Sequence, residues 1–104
     1  MIDEAGRRKI LGLVGLGLRG RLAVVGVQQV RDAAKRGKLK IALVASDASK
    51  NSLDKFKGLL TGRSVPVLEM FSAAELGSAT GREAVAVVGV TDAGLAEGIK
   101  EVGF

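Results

Sequence analysis

The stretch Val24–Ser52, VVGVQQVRDAAKRGKLKIALVASDASKNS, decides the fold. Gly26 opens a run in which Val27, Val30 and Ala34 recur at helical spacing, while Gln28, Arg31, Asp32 and Lys35 occupy the opposite, polar face. Gly37 stops that helix. Ile41–Ala45 follows as an uninterrupted apolar run, the pattern of a strand buried on both sides. Ser46-Asp47-Ala48-Ser49 then turns the chain into another helix, whose core stripe is Leu53, Phe56 and Leu60.

The flanks continue the alternation. Toward the N-terminus, Asp3 is placed to cap a first helix with Leu11, Val14 and Leu18 on its buried face. Gly12, Gly15 and Gly17 each weaken that helix by about 1 kcal/mol relative to Ala, so packing must hold it. Leu22–Val25 reads as a short strand. Beyond the central stretch, Val65–Leu68 reads as a strand in which Pro66 suits a start or an edge. Ser72-Ala73-Ala74-Glu75 is a capping box that starts a helix ending near Gly81. Ala84–Val90 is a second apolar strand, and Thr91 or Asp92 caps a last helix with Leu95, Ile99 and Val102 on one face. The expected class is α/β: one domain over residues 1–104, a three-layer α-β-α sandwich with a mixed sheet of about four strands. There is no internal repeat, linker or low-complexity tract.

Composition narrows the chemistry. Hydrophobic residues make up 47% of the chain but include only three Phe and no Trp or Tyr, so aliphatic side chains fill the core and aromatic base-stacking platforms are not expected. Sixteen Lys and Arg against eleven Asp and Glu leave a net charge of +5, which favours an anionic partner. With no Cys and no His, disulfides, thiolate chemistry, imidazole acid-base catalysis and nearly all zinc sites fall away. The carboxylates are scattered without ligand spacing and no Ser sits in a nucleophile elbow, so neither an enzyme nor a metal or cofactor is expected. Arg7-Arg8-Lys9 ahead of Ile10–Leu18 superficially resembles a signal segment. Asp3 and Glu4, the interruption at Arg19 and Arg21, and the lack of a cleavage site favour a mature amphipathic helix instead. No apolar run approaches the roughly 20 residues that span a bilayer, and the absence of Cys fits a cytoplasmic location.

Two local motifs carry alternatives. Gly15-Leu16-Gly17-Leu18-Arg19-Gly20 matches the G-x-G-x-x-G dinucleotide loop, but the long helix that should follow would cross Leu22–Gly26 and the place of the ribose-binding acid falls at Lys38–Lys40, so close helix packing plus a turn is favoured. Asp47-Ala48-Ser49-Lys50-Asn51 reads equally as a ligand loop after a buried strand and as plain turn-and-cap chemistry. Lys50, Lys55 and Lys57 are consistent with a solvated helix face.

Taken in order, Ile10–Leu16, Gly26 with its spacing to Gly37, Leu39–Ser49, Val65–Val67, Leu76–Arg82, Val85–Val90 and Thr91–Ala96 resemble the small kink-turn RNA-binding proteins typified by archaeal ribosomal and box C/D members. The likeness is greatest to the bacterial YlxQ-like branch and covers nearly the whole chain. It implies a grip on a kinked RNA helix with sheared G·A pairs. The helix starting at Gly26 would face phosphates with its amides, and Gln28 and Gln29 would reach guanine edges. Asp47, Ser49 and Leu53 would line the neighbouring wall, and Arg82-Glu83-Ala84 would contact a flipped-out nucleotide. The typical family pattern after the glycine is Asn-Glu, with a Lys three residues beyond the Glu, whereas this chain has Gln28, Gln29 and Asp32. Gln29 cannot supply the charged acceptor, and Asp32 sets a negative charge where a cation is typical. Arg31, Lys35 and Arg36 are placed for phosphate contacts beside it. The expected function is non-catalytic binding of structured RNA, ribosomal RNA among the candidates, with no DNA specificity and no membrane. The alternatives are a protein-interaction module on the same fold and the RNA-recognition domain of a larger modifying enzyme.

Overall fold

Five helices and four strands alternate along the described part of the chain, residues 3–48 and 50–104, in a computed structural model. They run α1 (Glu4–Arg19), β1 (Ala23–Val25), α2 (Val27–Lys35), β2 (Ile41–Val44), α3 (Lys50–Gly62), β3 (Val67–Leu68), α4 (Ala73–Ala79), β4 (Val87–Val90) and α5 (Ala93–Gly103). The strands form one mixed sheet in the order β1-β4-β2-β3, with β4 antiparallel to both its neighbours and β2 parallel to β3. This is the expected α/β sandwich.

Alternation along the two central strands divides the core. Ile41, Leu43, Val88 and Val90 point into a cluster with Ile10, Val14, Phe71, Leu76 and Ile99, from α1, α4, α5 and the loop before α4. Ala42, Val44 and Val87 point to the other side, against Val30, Ala34, Leu53, Phe56 and Leu60 of α2 and α3. Both strands are buried throughout, as a strand covered on two faces must be. Gly89 lets α2 sit down on the sheet: a Cβ there would lie 2.6 Å from Leu39 Cδ1 and 3.0 Å from Val30 Cγ2.

Several elements differ from the sequence expectation in extent. The buried face of α1 is Ile10, Val14, Gly15 and Gly17, while Leu11 and Leu18 are only half-buried. The helix is wedged between two others, with Gly15 against the Ala79 carbonyl and Gly17 against Leu95, so the G-x-G-x-x-G match is helix packing. β3 has two residues rather than four, because Val65 is still closing α3 through its amide to Leu60 O at 3.0 Å. β4 begins at Val87 rather than Ala84, since residues 82–85 run back along α4, with Arg82 N donating to Gly77 O and Val85 N to Ala73 O. Asp92, not Thr91, caps α5. No helix among the described residues is long and apolar enough to cross a membrane.

Candidate nucleic-acid interface

Helix starts leave backbone amides without partners unless a side chain accepts from them. Asp3 caps α1, Ser72 caps α4 in the expected box with Glu75, and Asp92 caps α5. The start of α2 is different. Gly26 precedes it at φ 98° and ψ 152°, and no side chain caps it. A backbone with that φ is strained for any residue bearing a Cβ, which explains glycine at this point. The Gly26 amide is taken by Val87 O at 3.0 Å, leaving the first-turn amides of α2 facing outward beside exposed Gln28 and Gln29.

The loops singled out from the sequence gather around that point. Gly26 is joined to Val87, Ala45 N donates to Ala86 O at 2.8 Å, and Ser46 N donates to Phe71 O at 2.8 Å. Three connections remote in sequence, 45–48, 69–72 and 82–86, therefore share one end of the sheet with the start of α2. Asp47 accepts from the Ala73 amide at 2.8 Å, tying the loop after β2 to the start of α4. Its carboxylate does turn-and-cap work within that end. Arg82 donates through Nη1 to Thr80 O, and Arg82, Glu83 and Ala84 are all exposed.

Arg7, absent from the site expected from sequence, braces this end. Its Nη2 donates to both oxygens of the Glu75 carboxylate, at 3.0 and 3.2 Å, its Nη1 donates to Met70 O, and the guanidinium lies 4.9 Å from the centre of the Phe71 ring. The Ser72 amide hydrogen bond, followed by that from Arg7, holds the Glu75 carboxyl below the usual glutamate range. No spacing in the sequence signals a pair 68 residues apart.

Other expected residues fall elsewhere. Leu53 is 3% exposed and packs in the core under α2 and α3, so it supports the wall from behind and offers no surface of its own. Ser49 lies outside the described residues. Lys35 and Arg36 are exposed at the far end of α2, about 14 Å from Gly26 by helical rise. Arg31 is half-buried midway. Asp32 accepts from Gln28 Nε2 at 3.1 Å and is in no ion pair with Arg36 among the described residues. Lys57 pairs with Glu69 at 2.9 Å, so it is not simply a solvated cation. Among the described residues no group of three or more His, Cys, Asp or Glu is placed to hold a metal.

Fold and loops together define a small α-β-α sandwich whose polar end is built from one open helix start and the connections beside it. The chain belongs to the ribosomal protein L7Ae/L30e/S12e/Gadd45 family, whose profile matches residues 9–100, and it falls in the YlxQ-like branch. It is 34% identical over 101 residues to the RNA-binding protein YlxQ of Enterococcus faecium, covering 97% of each chain. To the protein of the same name from Bacillus subtilis (strain 168) it is 37% identical over 84 residues, covering 81% of this chain and 84% of that one. Among solved structures, a protein with unknown function from Bacillus halodurans C superposes with a TM-score of 0.84 at 30% identity, over 90% of this chain and 95% of that one. The Giardia lamblia 15.5kD RNA binding protein superposes with a TM-score of 0.78 over 96% of this chain and 86% of that one, a likeness of fold at 20% identity.

Proposed function

We propose that this chain is a non-catalytic RNA-binding protein of the cytoplasm that grips a structured, kink-turn-like RNA, ribosomal RNA among the candidates. The grip is formed by the first turn of α2 with the loops at residues 45–48 and 82–86. The observation that carries this reading is similarity along 97% of the chain to a relative named as an RNA-binding protein, a span that includes Gly26 and both loops.

The local chemistry supports it. Open amides at the start of α2 suit phosphate oxygens, and the helix dipole adds to their pull. The hydrogen bond from Gln28 Nε2 to Asp32 turns the amide nitrogen of Gln28 along the helix and leaves its oxygen free to accept from a guanine amine. The Asp32 carboxylate thus engages Gln28 rather than a base, which accommodates an acid where the family typically has a Lys. Gln29, exposed on the adjacent face, offers both a donor and an acceptor. Arg82, anchored through one nitrogen, keeps further donors for a nucleotide turned out of the helix.

The test is a fluorescence titration at moderate salt of a standard kink-turn RNA against the same RNA with its G·A pairs replaced. Tight binding to the first alone is expected. Equal weak binding to both would reduce the interaction to electrostatics, and no binding to either would remove RNA as the partner.

A further inference from the structure

The opposite end of the sheet has a character of its own. Lys40 N donates to Val90 O and Thr91 N to Leu22 O, so the chain entering β1, leaving β4 and entering β2 lies side by side there. The C-termini of α1, α2 and α3 close at the same end. Each does so with the same paired turn: Arg21 N to Leu18 O and Leu22 N to Gly17 O, then Gly37 N to Ala34 O and Lys38 N to Ala33 O, then Ser64 N to Thr61 O and Val65 N to Leu60 O. These turns bring exposed Arg21, Arg36, Lys38, Lys40 and Arg63 to one surface from segments spread over forty residues.

Cations near helix C-termini commonly serve the helix itself by bonding its last carbonyls. Here the turn amides already hold those carbonyls, and only Arg63 donates to one, Ala34 O at 3.2 Å. None of the five cations is in an ion pair among the described residues, and Asp92 nearby is engaged in capping α5. Arg21 takes the left-handed position of its turn at φ 61°, the place filled by Gly37 on α2 and by Ser64, at φ 58°, on α3. A groove of about 330 Å³, lined by Gln29, Asp32, Arg36, Lys38 and Thr91 among others, links this end to the start of α2.

We infer that this basic end is a second contact zone for the same RNA, holding the phosphate backbone of a stem that runs along α2 away from Gly26. The inference rests on the RNA-binding reading but uses different residues. It assigns base recognition to one end of the sheet and sequence-independent backbone contact to the other.

The experiment is the salt dependence of binding to a kink-turn RNA with two full stems, for the wild type, for Lys38→Gln/Lys40→Gln and for Arg21→Gly, with melting temperatures of all three. By counterion release, the slope of log affinity against log salt should fall by about two for the double variant and about one for Arg21→Gly. Discrimination against the RNA lacking G·A pairs should persist in both, and Arg21→Gly should melt higher. Slopes equal to that of the wild type would overturn the second zone, leaving recognition at Gly26 intact, and a lowered melting temperature of the Lys38→Gln/Lys40→Gln variant would then mark those two cations as serving the helix end only. Reduced slopes in a protein that never discriminates G·A pairs would uphold the basic end and sink the kink-turn reading.

Discussion

Gly12 and Gly15 lie one turn apart on α1, yet the same added methyl meets different surroundings at each. A Cβ at Gly12 meets nothing within 4 Å, whereas one at Gly15 would stand 2.9 Å from the Ala79 carbonyl oxygen. Gly12→Ala should therefore raise stability by about 1 kcal/mol through helix propensity, and Gly15→Ala should lower it by roughly 1–3 kcal/mol through overpacking, as read from urea unfolding midpoints. The sequence predicts one uniform penalty for these glycines, because composition alone does not show which of them is a contact. Gly26 and Gly37 were legible for the opposite reason. Each ends one periodic pattern and begins another, and both take a positive φ, 98° and 70°. Leu53 shows the limit from the other side: the sequence places it both on a helical core stripe and on an implied binding wall, and at 3% exposed its side chain belongs to the core.

At the level of elements, the capping box of α4 was readable because all its chemistry sits within four residues, Ser72 to Glu75. Its long-range partner Arg7 was not. The consequence is a stability that depends on acidity. The folded carboxyl of Glu75 titrates below the usual glutamate range, first through the Ser72 amide and then through Arg7, so its contribution is complete above about pH 5 and is lost as pH falls through the folded value. Glu75→Gln keeps an acceptor for the Ser72 amide but no charge for Arg7. Its stability should be close to wild type near pH 3 and lower than wild type at neutral pH, with a shallower acid limb in chemical denaturation between pH 6 and 3. Strand extents were the least legible elements. What shortens β3 and β4 is the use of Val65 and residues 82–85 in closing neighbouring helices, which leaves no trace in hydropathy.

For the whole molecule, the layers and the mixed sheet followed from the alternation of helical stripes with two-sided strands, but the order β1-β4-β2-β3 did not, since no local pattern says which strands become neighbours. That order is what collects Gly26, Asp47 and Arg82 at one end of the sheet and Arg21, Lys40 and Arg63 at the other. Among the described residues lining the groove along α2, Asp32 is the one acid. Asp32→Asn removes its charge while keeping an acceptor for Gln28, and should tighten RNA binding by roughly 0.5–1 kcal/mol, two- to fivefold in Kd, measured by titration at low salt. The borders of the sheet carry one more consequence. β3 offers two residues behind Pro66, and β1 offers three. Exposed strand edges are the usual template on which chains add to one another, and edges this brief give an incoming strand almost nothing to pair with. Copies crowded together on a long polyanion would stand side by side without their sheets joining, so high local concentration should not drive this fold toward fibres.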